Sequence, residues 1–242
     1  MRAVSIAQFC ALLTMWPLAS ASAGDVAQLD ILGFSADGGV FAFEEYGIQD
    51  GSGFPYSNRY YIDTATDEFL PKTPVRVRLE DESATLDAAR KQARDDGEKI
   101  VGESELAANR GFTAGFNAVT EYSADPHRMA VNPRPVFPQI DDPFEVRIEE
   151  IPMPASEVCQ SQGENLGFRL LRIDASDGGR TGILHEDKKI PQSRGCPNGY
   201  RIGAIHTFAG GGAPTSYAVL IAVRQYGFEG PDFRWIAVAG RF

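Results

Sequence analysis

The chain has 242 residues with 33 acidic against 23 basic side chains, 25 Gly and 15 Pro. Its 43% hydrophobic content is enough to bury a core, and so many turn formers exclude a long helical bundle. A formal charge of -10 argues against a nucleic-acid surface, which needs clustered Lys and Arg to neutralise phosphates.

Residues 1–23 have the three parts of a secretory leader: Arg2 as the positive start, an apolar run from Ala3 to Leu18, and the small residues Ala19, Ser20, Ala21, Ser22 and Ala23 for cleavage. The apolar run is 16 residues long, short of the ~20 that span a bilayer as a helix. The expectation is therefore export to the periplasm or beyond by a signal peptide, with no membrane span after cleavage. Cleavage after Ala23 removes Cys10 and leaves Cys159 and Cys196, a pair expected to be disulfide-bonded in an oxidising compartment. A metal site at these cysteines is disfavoured, because neither has a second Cys or a His at ligand spacing.

From residue 24 onward, short stretches of strand character recur near 27–34, 39–46 and 59–63. Val75, Val77 and Leu79 then alternate with Arg76, Arg78 and Glu80. From Ser83 to about Lys99 the composition turns to Ala, Arg, Lys, Glu and Gln, with Ser83 or Thr85 as the cap. This predicts one helix lying on the surface of a sheet, and a second short helix is expected near 103–109. Between Val131 and Pro154 six of 24 residues are Pro, which predicts an extended, rigid crossing between two subparts of a single domain. Within that stretch Phe144, Val146 and Ile148 alternate with charged residues. Further strands are expected near 166–174, 181–185, 200–208, 217–226 and 233–239.

The expected fold is mainly β: antiparallel sheets in a sandwich or blade-like arrangement with the surface helix at 83–99. A small or partial β-propeller is the alternative, suggested by the turn Asp37-Gly38-Gly39 between two strands. One internal echo stands out. Residues 40–48 (VFAFEEYGI) line up with 220–228 (LIAVRQYGF), and Arg59-Tyr60-Tyr61 with Arg234-Trp235-Ile236, so two similar hairpins are predicted.

The loops of those hairpins are the candidate contact surfaces, because aromatics stack on ligands while carboxyl and amide groups accept hydrogen bonds. The first contributes Glu45, Tyr46, Asp50 and Tyr56, and the second Tyr226, Glu229 and Asp232. Glu44 and Glu45 are strand neighbours and must face opposite sides, so they cannot serve as an acid and base pair at one site. If the loops converge, Asp50, Glu229 and Asp232 offer oxygen ligands suited to Ca2+, though in no EF-hand spacing; no other cofactor is indicated. His127, His185 and His206 are too dispersed for a zinc motif, and His206 sits in an apolar strand as a structural residue would. There is no Gly-x-Ser-x-Gly elbow, and Gly210-Gly211-Gly212 lacks the Lys of a phosphate loop. The terminal Phe242 closes an alternation too poor for a lipid-facing strand.

Phe43-Glu44-Glu45-Tyr46-Gly47, the run from Gln49 to Tyr56, the stretch from His185-Glu186-Asp187 to Cys196-Pro197, and Glu229-Gly230-Pro231-Asp232 together resemble a family of predicted secreted bacterial proteins, domain of unknown function 2259. The resemblance implies export and carries no activity. Phe233-Arg234 departs from the more basic pair associated with that family. The reading is a secreted or periplasmic, non-catalytic module that binds a ligand or an envelope partner. The alternative is an envelope hydrolase acting on glycan or peptidoglycan through carboxylates, with Glu45 or Asp50 opposite Glu229 or Asp232.

Overall fold

A computed structural model describes residues 24–174, 179–227 and 230–242. The expected leader and Glu229 lie outside the described residues. The chain runs β1 (Gln28–Phe34), β2 (Val40–Ile48), β3 (Pro55–Asp63), β4 (Glu68–Phe69), β5 (Val75–Arg78), α1 (Leu86–Gly97), α2 (Glu103–Ala108) and β6 (Phe112–Phe116). It continues with β7 (Arg128–Val131), β8 (Phe144–Pro152), β9 (Leu166–Ile173), β10 (Gly182–Glu186), β11 (Pro197–Phe208), β12 (Ser216–Gln225) and β13 (Asp232–Arg241). The strands form three antiparallel sheets: β1-β2-β3-β4 with β5 also on β3, then β13-β12-β11-β6, then β10-β9-β8-β7. Among the described residues no helix is long and apolar enough to cross a membrane.

The sheet containing β12 is the middle layer, and its sequence says why. A strand buried on both faces has no need of polar alternation. Along β12, Val219, Ile221 and Val223 pack with Phe168 and Leu170 of the β7–β10 sheet. Ala218, Leu220 and Ala222 pack with Phe41, Phe43 and Tyr60 of the β1–β5 sheet. Small alanines on that second face make room for the aromatics opposite, including the stacked Phe43–Tyr60 pair at 4.6 Å. In β11 the register shifts between Ile202 and Ala204. Gly203 lies in that bulge, where a Cβ would fall 2.3 Å from the Trp235 ring. The sandwich reading therefore holds, as a stack of three sheets.

The helices cover the outer face of the β1–β5 sheet. Thr85, one of the two expected caps, accepts a hydrogen bond from the Ala88 N–H at 3.1 Å, and the thin stripe Ala89 and Ala93 packs on Val77. Beneath α1 the fully buried Glu44 carboxylate accepts from Arg59, Arg90 and Ser57 at 3.1, 2.8 and 2.9 Å. Arg59 also pairs with Glu103. The Pro-rich stretch holds the loop between β7 and β8, tied by the Arg134–Asp141 ion pair at 2.5 Å, and all of β8.

Strand β13 is the edge of the middle sheet, and an open edge invites pairing with other chains. Here three of its outward amides are taken up. Phe233 N–H donates to the Asp25 carbonyl at 2.9 Å, Trp235 N–H to Glu45 at 2.7 Å, and Ala239 N–H to Asp67 at 2.8 Å. The Asp67 carboxylate also meets His185 Nδ1 at 3.4 Å, and His185 Nε2 lies 3.2 Å from Asp187. This joins the turn after β3 to β10 of the far sheet. The expected disulfide is present, Cys159–Cys196, closing 37 residues. On the chain-entropy account, whose mechanism is model-dependent, a loop of that size stabilises by about 4 kcal/mol.

Two histidines set opposite pH limits on this fold. Burial alone would lower the His185 pKa, but the hydrogen bonds it donates to Asp187 and Asp67 outweigh it and hold the imidazole up at about 9. His206, 2% exposed, is pushed down to about 4 by burial. It lies between Thr113 and the Arg110 carbonyl and is stacked on Phe34. The stability from His185 is complete below its ordinary value of 6.5 and is lost as pH rises through about 9. That from His206 is complete above 6.5 and is lost as pH falls through about 4. The expected sizes are about 3 kcal/mol for His206 and, after discounting for solvent, about 1–2 kcal/mol for His185. Denaturant midpoints measured from pH 4 to 10 should peak between these limits. His185→Gln should flatten the alkaline limb and His206→Gln should reduce the acid one; limbs unchanged by the substitutions would refute the assignment.

Candidate functional site

The β2–β3 and β3–β5 registers place Glu45 opposite Asn58 and Asn58 opposite Arg76. One cross-strand row of Glu, Asn and Arg therefore lies on one face of the sheet. The next row is Gly47, Tyr56 and Arg78. Gly47 has a plain reason here, because a Cβ at that position would approach the Tyr56 hydroxyl to 2.9 Å. In β5 the alternation turns Val75 and Val77 toward the helices, which leaves Arg76 and Arg78 on the face of these rows.

Two adjoining cavities open over this face. One, of about 390 Å3, is lined by Gln49, Tyr56, Asn58, Arg76, Arg78 and Arg234, with Glu80 at its wall. The other, of about 300 Å3, reaches down to Glu45, Tyr60 and Trp235 and out to Arg194 and Gln225. Asn58, Arg76 and Arg234 line both, so the two form one polar cleft between the β1–β5 sheet and the β13 edge.

The groups behind the cleft fix its walls. Glu45 is buried, and its carboxylate accepts from the Tyr60 hydroxyl at 2.7 Å, Asn58 Nδ2 at 3.0 Å and Trp235 N–H at 2.7 Å. Arg234 is held by the Asp25 carboxylate at 2.6 Å and carbonyl at 2.9 Å, and lies over the Tyr56 ring at 5.2 Å. Burial raises the Asp25 carboxyl above the ordinary range even though Arg234 pulls it back. Burial likewise pushes the Tyr56 phenol far up, so it stays a neutral donor, here to Asp25 at 3.3 Å. Arg194 pairs with Asp187 and reaches the Tyr200 hydroxyl. Arg78 pairs with Glu80. Arg76 has no carboxylate within ion-pair distance among the described residues.

The echoed hairpins do meet, and they meet at this carboxylate. Tyr60 of the first and Trp235 of the second, which correspond in the echo, both donate to Glu45, while Gln225, the echo of Glu45, lines the same cavity. Among the expected contact residues, Glu45 and Tyr56 line the cleft. Asp232 stands behind it and accepts from the Asp25 N–H at 2.8 Å. Tyr46 faces the other way, under Arg90 at 3.7 Å. Asp50 lines a separate cavity of about 430 Å3 with Asp25, Gln28 and Gly51, and Tyr226 is 64% exposed. Among the described residues no group of three or more His, Cys, Asp or Glu side chains gathers as metal ligands. Sequence reasoning passed over Asn58, Arg76, Arg78, Arg194, Arg234 and Asp25. The available signal was two arginines on one face of a strand, which reads equally as a solvated face.

The stacked antiparallel sheets, the internal disulfide and the carboxylate-capped sheet edge define a disulfide-bonded, mainly β protein, a class that suits an oxidising compartment. The chain belongs to the family of predicted secreted proteins designated DUF2259, whose model matches residues 42–241. No curated protein and no solved structure matches it.

Proposed function

We propose that this is a secreted or periplasmic module, exported by its N-terminal leader, that binds a polar ligand of the cell envelope without transforming it. The supporting observation is the cleft itself. Planar hydrogen-bonding side chains (Gln49, Asn58, Arg76, Arg78 and Arg234) surround Tyr56 in a cavity of about 390 Å3. Convergent polar groups around an aromatic side chain are what fix the orientation of a bound ligand. The hydrolase reading has less support, because Glu45 is engaged by Tyr60, Asn58 and Trp235. Its expected partner Asp232 accepts from the Asp25 N–H, and Asp50, the alternative to Glu45, lines another cavity.

Thermal unfolding of the exported, oxidised protein against Ca2+, muramoyl peptides and neutral and acidic oligosaccharides tests this reading. A ligand at 100 times its Kd stabilises by about 2.7 kcal/mol, roughly 5–10 °C for a domain of this size. The expected result is a rise with an organic ligand that Asn58→Ala removes and Asp50→Asn leaves intact. A rise lost only in Asp50→Asn would move the site to the β2–β3 loop. No rise with any member would overturn ligand binding in favour of a protein partner, and turnover of a glycan would favour the hydrolase.

A further inference from the structure

The ion-pair pattern of the cleft carries the reading one step further, to the chemistry of the ligand, and this step rests on the cleft being the binding site. Three of its four guanidiniums already have a carboxylate of their own: Arg234 has Asp25, Arg194 has Asp187 and Arg78 has Glu80. Arg76 does not, among the described residues, and it is exposed on the dividing wall shared by both cavities. Its cross-strand neighbour Asn58 gives Nδ2 to Glu45 at 3.0 Å, which leaves the amide oxygen as an acceptor beside the guanidinium.

We infer that the cleft binds a ligand bearing one carboxylate flanked by hydroxyl or amide groups, with the carboxylate on Arg76. A guanidinium presents a planar fork that matches a carboxylate with two parallel hydrogen bonds. A monoanion fits better than a phosphate dianion for two reasons. Glu45 is a carboxyl group buried in the floor of the cleft, beside Arg234 and only one hydroxyl, that of Tyr60, away from Arg76, and the chain as a whole carries a formal -10, so a second ligand charge meets repulsion without a second cation that lacks a carboxylate of its own. Asn58 and Gln49 supply amide donors and acceptors for the groups beside the carboxylate, and Glu80 an acceptor for their hydroxyls.

Calorimetric titration of the whole exported protein with matched acid and neutral pairs tests this. The pairs are oligogalacturonate against its methyl ester, and a muramoyl dipeptide against its amide, with inorganic phosphate as a third arm. The acid of one pair should bind at least about tenfold more tightly than its neutral partner. Arg76→Gln should weaken the acid by roughly 10- to 100-fold, the size of a lost charge-assisted hydrogen bond, and leave the neutral partner unchanged. Arg76→Lys, which keeps the charge and loses the fork, should fall between. Equal binding of acid and ester, or no effect of Arg76→Gln, overturns the carboxylate assignment while leaving the cleft as a binding site. Phosphate binding that is stronger than that of the acids and depends on Arg76 overturns the monoanion. If neither member of either pair binds, the reading of the cleft as a ligand site falls with it.

Discussion

Glu44→Gln lowers the unfolding free energy by about 3 kcal/mol, the low end of the cost of removing one partner from a buried ion pair, because Arg59 keeps Glu103 and Arg90 keeps Asp30. Glu44 is fully buried and Arg59 is 1% exposed, so water cannot replace the lost charge. Arg90 also loses its main partner, and it ties α1 to the sheet through that carboxylate at 2.8 Å. Burial alone would raise the Glu44 carboxyl, but Arg90 and Arg59 hold it below the ordinary value. Its contribution is therefore complete above about 4.5 and is lost as pH falls through the lower folded value. Urea denaturation at pH 7 and pH 4 measures both effects. The variant's deficit should be about 3 kcal/mol at pH 7 and smaller at pH 4. A deficit below 1 kcal/mol at pH 7 would mean that the network is not formed as described.

Glu45→Leu, one residue along and on the other face, is expected to cost about 2–5 kcal/mol by a different route. It orphans two buried donors, Trp235 N–H and the Tyr60 hydroxyl, each worth roughly 1–3 kcal/mol when left unsatisfied. Asn58 is part exposed and can turn to water. The substitution also reopens the β13 edge at its middle. Amide hydrogen exchange at Trp235 should accelerate more than global destabilisation alone explains, while the Phe233 amide, held by the Asp25 carbonyl at 2.9 Å, should follow the global value. A Trp235 amide that tracks global unfolding in both proteins would contradict the capping role.

Much of the fold was legible because its signals are local. Val75 to Leu79 and Phe144 to Ile148 alternate as half-buried strands do, and Thr85 caps a helix whose thin Ala stripe matches a shallow sheet contact. The strand β6 escaped notice, since the alternation in Phe112-Thr-Ala-Gly-Phe covers only five residues and is diluted by Ala114 and Gly115. It owes its form to pairing with β11, which is distant in sequence. The middle position of β12 was unreadable for the same reason, because a continuous apolar run does not say what covers each face. At the site, the echo pointed correctly to two hairpins, and Glu45 and Tyr56 of the first line the cleft, but Asp50 lies elsewhere and most of the cleft's residues were not expected. The cleft forms on strand faces, where register brings Asn58 beside Arg76 and the β13 edge brings Arg234 across from them. Cross-strand register and sheet stacking depend on the whole chain, so no motif announces them.

The most direct test of the cleft as the binding surface is a two-dimensional 15N NMR titration of the exported protein with an acidic oligosaccharide, following the side-chain signals of Arg76, Arg234 and Asn58 alongside the backbone amides. Shifts concentrated on those three side chains, on Gln49 and on the Trp235 amide, with residues 50–53 little changed, are the predicted result. Shifts centred on Asp50 and its loop with Arg76 and Arg234 unmoved would contradict it.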